Sequence, residues 1–275
     1  MCIRDSINYY YGGQYFAVFL TKLSHTKVEL TYNLMRTFVA GLAFAMPFSL
    51  VYQMMSDRMK GQQKSEKVIK GLPFAAGFTA GTAVSIAGNM HYVIYAQIIP
   101  LIEKLTGKEV SSYWFPDATR YIGYNPYREE DRTIHEFPCY SFVLGDLHAH
   151  VVNIMFVLLV IALLYVWLRG VRKKTVPVEA SMKDGKFWKE QLLMPHLLVI
   201  SVLLGMFQWT NFWDFVIYYV VTLGTVLFAN IIRFQGKIKK IIVVTFSQMA
   251  EIYLLAYLVI LPFTLQFDTM VAVSY

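Results

Sequence analysis

The chain has 275 residues, of which 56% are hydrophobic and 16% are charged, and its net charge is +7. This composition excludes an ordinary soluble domain, in which about a quarter of the residues are charged. Most of the 25 basic residues lie in three segments, 57–70, 169–190 and 233–240. Because these segments occupy alternate connections between apolar blocks, the positive charge indicates membrane topology and not binding to nucleic acid.

The first apolar segment, Tyr9–Leu23, is shorter than the roughly 20 residues that a helix needs to cross a bilayer. Its tyrosines favour an interfacial helix over 8–25 that lies on the outer leaflet, and a crossing helix is the alternative. Because no apolar span precedes this segment, we expect the chain to be a fragment of a larger protein that includes an upstream helix.

Six longer apolar blocks follow, each long enough to cross a bilayer as a helix. They are 37–56, 71–102, 147–168, 192–213, 215–232 and 241–267. We therefore predict an all-α polytopic membrane bundle of about six transmembrane helices, forming a single transmembrane domain over 1–275 in the cell membrane. Positive-inside bias makes the basic segments cytoplasmic, so the long loop 100–146, the turn near 210–214 and both chain ends face outward.

The long outer loop ends in a cluster of acids and imidazoles, HEFPCYSFVLGDLHAH, which runs from His135 to His150. Such groups at a membrane boundary usually pair, bind a ligand or take part in catalysis, because burying them is costly. On a helix Asp146 and His150 would be neighbours and His148 would point elsewhere, so the three converge only if 146–148 is extended. In an alternative that needs no ligand, Asp146 caps the helix and the histidines lie at headgroup depth.

Carboxylates and imidazoles together can hold a divalent cation or act as general bases. We predict that Asp146, His148 and His150 bind Mg²⁺ or Mn²⁺, with Glu136 nearby. The predicted catalytic residues are Asp146, His150 and Glu136.

A second polar group lies on the next outward turn, where Asn211 and Asp214 are flanked by tryptophans. Substrate binding and an interfacial belt with a helix cap are both open for this turn. Glu251 is an acid inside an apolar block, which makes it a functional candidate by default, although a helix-pairing role is equally open. If Glu251 and Asp214 line a path with the glycine-rich block 71–102, the chain is instead a transporter or channel.

Four motifs together resemble an uncharacterised family of membrane proteins. They are Asn8-Tyr9-Tyr10-Tyr11, Thr133–Pro138, Ser141-Phe142 with Gly145–His150, and Asn211–Asp214. The resemblance is to the "YYY" polytopic membrane proteins of archaea and chloroflexi, which contain a domain of unknown function. His135 departs from that pattern, which would have Asn, and the pattern implies a first span with an acidic outer loop upstream of Met1.

That family is similar in architecture to the C-type glycosyltransferases, which take sugars from polyprenyl-phosphate carriers. The resemblance implies a membrane enzyme with an extracytoplasmic site, membrane lipid as a partner and a polyprenyl-phosphate-linked sugar as donor. It also implies a catalytic acid upstream of this chain. Under this resemblance a carboxylate would orient or deprotonate the sugar acceptor, and Asp146, His148 and His150, with Glu136, would bind a divalent cation or the carrier phosphate. We assign substrate binding to a set of polar and aromatic residues, with the aromatic side chains of 113–127 stacking on sugar: His148, Tyr9, Tyr10, Tyr11, Trp114, Asn211 and Asp214.

Overall fold

The computed structural model describes residues 10–62, 65–120, 122, 124, 127, 128, 132–173 and 181–266. This part of the chain contains ten α-helices and no β-strand, so the predicted all-α membrane fold is confirmed. The helices are α1 (Gly12–Ser24), α2 (Val28–Met59), α3 (Glu66–Ser85), α4 (Ile99–Leu105), α5 (Pro138–Leu144), α6 (Ala149–Lys173), α7 (Gly185–Leu192), α8 (Pro195–Thr210), α9 (Phe212–Phe234) and α10 (Ile238–Thr264). A π-helical turn occupies Val93–Ile98, and a 3₁₀ helix occupies Phe115–Thr119.

Four of these helices, α2, α6, α9 and α10, are long and apolar enough to cross a membrane. Helices α7 and α8 meet the same criteria together, with a 50° bend between them, so the described residues contain up to five spans. The expected six differs from this at the block 71–102, which is not one helix, because α3 ends at Ser85 and residues 86–90 are not helical. Within this break Asn89 donates from its side chain to the backbone carbonyl of Ala118, and such bonds compete with helix formation.

The chain divides into two compact units, the first formed by Met1–Thr31 with Val152–Tyr275 and the second by Tyr32–Val151. In the first unit α8 packs against both α9 and α10. Its core is apolar and includes Val160, Leu204, Phe207, Val226 and Ile252. Whether the two units act as one transmembrane domain stays a prediction.

Glycines set the closest helix contacts within each unit. In the first unit a Cβ at Gly205 of α8 would lie 2.6 Å from the carbonyl oxygen of Ala256 in α10. In the second unit a Cβ at Gly77 of α3 would lie 2.8 Å from the carbonyl oxygen of Phe48 in α2. The glycine-rich character of block 71–102 therefore serves close packing of helices, as small residues do in membranes.

Helix α1 lies within the predicted interfacial segment 8–25. Gly12 packs against Trp209 and Thr210 of α8, and Gly13 packs against Val152 of α6. These contacts fix the helix inside the first unit, while its position on the outer leaflet stays a prediction.

Candidate functional site

The 3₁₀ helix is the buried centre of the long loop in the second unit. Ala118 and Thr119 are fully buried, and their carbonyl groups accept hydrogen bonds from other parts of the unit. Asn89 Nδ2 donates to Ala118 at 2.5 Å, and the backbone N–H of His135 donates to Thr119 at 3.0 Å. The second bond fixes the backbone immediately before Glu136.

Aromatic packing holds the segment that follows Glu136. The ring of Phe137 is so close to Gly88 that a Cβ there would lie 2.7 Å from a ring carbon. Tyr140, one turn into α5, is buried and stacks on Phe115 with ring centroids 5.3 Å apart. These contacts bring the start of α5 against the 3₁₀ helix and explain why the loop is rich in aromatic residues.

Helix α5 ends in a left-handed glycine that turns the chain toward α6. Gly145 has φ +76°, and the N–H groups of Gly145 and Asp146 both donate to the carbonyl of Ser141 at 2.9 Å. Glycine favours this kind of helix end because it has no Cβ. Residues 146–148 are not helical, and α6 begins at Ala149. The alternative in which Asp146 caps the helix is therefore wrong, and the non-helical conformation that convergence required is present.

Glu136, Asp146 and His148 come together in space. Nδ1 of His148 lies 3.3 Å from Oε2 of Glu136 and is in direct contact with Oδ2 of Asp146. One ligand atom from each of the three residues lies within 4.8 Å of the other two. Their side chains are 22%, 44% and 40% exposed, respectively, so ions and solvent can reach them. We call these three residues the Glu136–Asp146–His148 cluster.

This geometry permits two kinds of chemistry. Carboxylate oxygens and imidazole nitrogens coordinate divalent ions at about 2.0–2.2 Å, so small adjustments of these side chains would form a three-ligand site with positions left for water or substrate. With His148 protonated, the same groups form an ion-pair triad that needs no metal. The two possibilities differ in a measurable way, namely in affinity for a divalent cation.

His150 does not join this ligand set in the described part of the chain. It lies in the first turn of α6, and its ring centroid is 5.6 Å from that of His148. Glu136, predicted as catalytic, occupies the third position instead. The structure thus brings Glu136, and not His150, to the other two residues of the predicted metal set. Metal binding by Asp146, His148 and His150 and a catalytic role for His150 stay predictions.

The second predicted group belongs to the first unit and forms a hydrogen-bonded network. Oδ2 of Asp214 accepts from Asn211 at 2.9 Å and from Asn153 at 2.6 Å. The side-chain oxygen of Asn153 accepts in turn from the hydroxyl of Thr210 at 2.8 Å. This arrangement joins α6, α8 and α9 and supports the structural alternative for the turn. Substrate binding by Asn211 and Asp214 stays a prediction.

Asn153 is the member of this network that the sequence patterns missed. It is fully buried in α6, in a block otherwise made of apolar side chains apart from the histidines at its start. A lone amide in a block of this kind is the signal that could have identified it, because a buried polar group requires a hydrogen-bonding partner.

The predicted tyrosine site is only partly described. Tyr9 lies outside the described residues, and Tyr10 is half-buried immediately before α1. Tyr11 contacts Trp209 and Phe263 edge to face, with ring centroids 5.6 and 5.8 Å away. Tyr11 therefore packs inside the first unit, and its role in binding substrate stays a prediction.

Trp114 and Glu251 have defined surroundings. The ring of Trp114 is exposed, and the guanidinium of Arg120 lies 4.7 Å from its centroid, so one face is covered and the other is left for a ligand. In α10, Oε2 of Glu251 is buried and has no hydrogen-bond partner among the described residues. Both residues stay candidates for the roles predicted from the sequence.

Over residues 5–274 the sequence matches the family described as Uncharacterized membrane protein (DUF2298). The chain belongs to this family. No curated protein and no solved structure matches it. Membership in DUF2298 and the apolar helices together show a multi-pass membrane protein. The likeness to C-type glycosyltransferases and an archaeal or chloroflexal origin stay predictions.

Proposed function

We propose that this DUF2298 protein is a membrane glycosyltransferase whose extracytoplasmic site binds a divalent cation, Mg²⁺ or Mn²⁺, at the Glu136–Asp146–His148 cluster. The donor is a sugar linked to polyprenyl phosphate. The observation that carries the proposal is the convergence of three ligand-type side chains, of which Glu136 lies ten positions before Asp146 along the chain. Helix α5 and the turn at Gly145 lie between them in the chain, and the packing of α5 against the 3₁₀ helix helps to hold Glu136 near Asp146.

The location of the cluster fits a donor that is anchored in lipid. His148 directly precedes α6, which is long and apolar enough to span a bilayer, so the cluster is at the end of a membrane helix. The phosphate of a lipid-linked donor lies at the same boundary between hydrocarbon and water. If the basic loops are cytoplasmic, this boundary faces outward, where a lipid-linked donor replaces the cytoplasmic nucleotide sugars.

The transfer forms a bond between an acceptor oxygen and the anomeric carbon and breaks the bond from that carbon to the carrier phosphate. The phosphate leaves with the bonding electrons, and a bound divalent cation would neutralise the charge that develops on it. A carboxylate accepts the proton that the acceptor hydroxyl loses. In this chain the cluster holds and orients the phosphate end, and the proton acceptor is Glu136 or Asp146.

The metal part of the proposal is tested with purified protein in lipid nanodiscs and Mn²⁺ as the probe, followed by electron paramagnetic resonance. We expect bound Mn²⁺, with affinity lowered at least about tenfold by Glu136→Gln or Asp146→Asn, because each removes a charged ligand. Binding should also weaken as pH falls, because protons compete with the metal for its ligands. Glu109→Gln, an exposed acid in the same loop, is the matched control.

The enzymatic part is tested in membranes with a radiolabelled sugar on a polyprenyl-phosphate carrier. Asp146→Asn should abolish transfer, and Glu109→Gln should leave it unchanged. Full transfer activity of Asp146→Asn would refute the proposed enzymatic function. Absence of Mn²⁺ binding in the unmodified protein would instead assign the cluster to the metal-free ion-pair triad.

The transporter alternative has one observation in its favour, the buried and unbonded Oε2 of Glu251. Against it, Oδ2 of Asp214, the second residue of the predicted path, is held by two amides. Solute flux into proteoliposomes that is lost in Glu251→Gln would favour transport, and flux that does not depend on Glu251 would remove this alternative.

A further inference from the structure

Two side chains of α2 reach Gly145, the residue directly before Asp146. Tyr32 and Arg36 are four residues apart and so lie on the same face of the helix. The hydroxyl of Tyr32 donates to the carbonyl oxygen of Gly145 at 3.2 Å. The guanidinium of Arg36 packs so tightly on Gly145 that a Cβ there would collide with Nη1. All of these residues belong to the second unit, and the guanidinium is held against Gly145, one position before Asp146 of the Glu136–Asp146–His148 cluster.

Arg36 is half-buried, and among the described residues no carboxylate pairs with it and no hydrogen bond from its guanidinium to another side chain or backbone group is present. Asp146 and Glu136 are instead both directed at His148. A guanidinium has five N–H donors, and no nitrogen of Arg36 is among the buried unbonded atoms of the described residues, so these donors are accessible to a ligand. The position therefore favours a ligand that brings its own acceptor oxygens.

We propose that Arg36 binds the phosphate group of the substrate next to the cation of the cluster. The proposal rests on the proposed function and extends it by a phosphate-positioning residue. The planar guanidinium matches two phosphate oxygens at once, which a lysine ammonium cannot do. The ligand is a phosphate monoester or diester on an isoprenyl carrier. Free phosphate offers the same anionic oxygens to the guanidinium.

The charges around the site make the cation and the phosphate bind cooperatively. Glu136 and Asp146 repel an approaching phosphate, and a divalent cation between them reverses that effect. Arg36 supplies a further positive charge that does not depend on metal. We therefore expect phosphate to bind weakly without metal, more tightly with Mn²⁺, and in both conditions with a contribution from Arg36.

Gly145 is required in two separate ways for this arrangement. Its φ of +76° disfavours any side chain, and the space for a Cβ is taken by Arg36. Gly107 has φ +70° and nothing within 4 Å of its Cβ position, so it imposes only the first requirement. The pair of substitutions Gly145→Ala and Gly107→Ala thus separates displacement of Arg36 from backbone strain.

The experiment measures calorimetric affinity of the protein in nanodiscs for a short isoprenyl phosphate, for inorganic phosphate and for the parent isoprenyl alcohol, each with and without Mn²⁺. Arg36→Ala should weaken binding of the isoprenyl phosphate about tenfold, the typical effect of losing charged hydrogen bonds. Arg36→Lys should have an affinity between those of Arg36→Ala and the unmodified protein. Arg58→Ala, at the exposed far end of α2, should leave the affinity unchanged. Gly145→Ala should resemble Arg36→Ala, and Gly107→Ala the unmodified protein.

Mn²⁺ affinity without phosphate should be retained in Arg36→Ala, which also shows that this variant is folded. If the unmodified protein binds no Mn²⁺, the proposed metal site fails, and the effect of Arg36→Ala on metal-free phosphate binding still decides this inference. Equal binding of inorganic phosphate and of the ester would support the site with free phosphate as its ligand. Unchanged phosphate affinity in Arg36→Ala, binding of the alcohol as tight as the ester, or no phosphate binding in either condition would overturn it.

Discussion

The side-chain amide of Asn153 shows how much a single residue contributes inside an apolar bundle. It donates to Asp214 and accepts from Thr210, so one group satisfies polar partners on two other helices. Replacing it removes one acceptor of the Thr210 hydroxyl, which then bonds only the carbonyl of Met206, and leaves Oδ2 of Asp214 with Asn211 as its donor. The loss of two buried hydrogen bonds destabilises the folded state. The network thus specifies the relative register of α6, α8 and α9.

We predict that Asn153→Ala lowers the free energy of unfolding by about 1–2 kcal/mol. Unfolding in mixed detergent micelles measures this free energy. A double-mutant cycle with Asp214→Ala should give a coupling energy between the two side chains of about 0.5–1.7 kcal/mol. Thr225→Ala is the control, because its exposed hydroxyl bonds only within its own helix, to Val221 at 3.0 Å. A coupling near zero would mean that Asn153 does not hold the carboxylate, and would favour substrate binding by Asp214 over the structural alternative.

At the scale of helices, glycines of α3 decide how closely it approaches α2. Cβ atoms at Gly77 and Gly81 would lie 2.8 and 2.9 Å from carbonyl oxygens of α2, whereas Gly71 on the same helix has nothing within 4 Å. Backbone atoms cannot yield as a flexible side chain can, so the helices would have to separate.

We predict effects of opposite sign from the same substitution in α3. Gly77→Ala and Gly81→Ala should each destabilise the protein by about 1–3 kcal/mol, while Gly71→Ala should stabilise it by up to about 1 kcal/mol through helix propensity. Thermal unfolding followed by circular dichroism is the measurement. Equal effects at all three positions would show that intrinsic propensity, and not the contact with α2, governs this helix.

The sequence predicted helices correctly where the length of an apolar block alone determines the helix. Blocks 37–56, 147–168, 215–232 and 241–267 correspond to α2, α6, α9 and α10, because a long apolar run forms a helix in lipid. The prediction of a single helix over block 71–102 was wrong. Hydropathy does not detect the hydrogen bond from the Asn89 side chain to Ala118, which lies far along the chain.

The candidate site was predictable in its residue types and only partly in its geometry. The acids and imidazoles of residues 135–150 were identified, but whether Glu136 or His150 lies close to both Asp146 and His148 depended on where α6 begins. Arg36 was not predicted, because its place beside Gly145 is a tertiary contact between residues more than a hundred positions apart. Neither local propensity nor spacing contains that information.

At the scale of the whole molecule, the proposed function depends on which side of the membrane carries the cluster. The basic residues of 57–70, 169–190 and 233–240 predict that those connections are cytoplasmic and that the loop before α6 is outside. This topology requires the segment between α2 and α6 to cross the bilayer as well, with the 20-residue helix α3 as the crossing helix, although α3 is not among the four long apolar helices. Retention of lysine- and arginine-rich loops on the cytoplasmic side is a property of the chain as a whole, and no single contact reveals it.

We predict that in intact cells a membrane-impermeant maleimide labels Lys108→Cys and spares Lys183→Cys until the membrane is permeabilised. Both positions are exposed, the first in the long outer loop and the second in the basic connection before α7. The background carries Cys2→Ser and Cys139→Ala, although burial already raises the pKa of the Cys139 thiol and lowers its reactivity. The reverse labelling pattern would put the Glu136–Asp146–His148 cluster in the cytosol. Nucleotide sugars would then be the accessible donors, and an extracytoplasmic, lipid-linked donor would be ruled out even if the cluster binds metal.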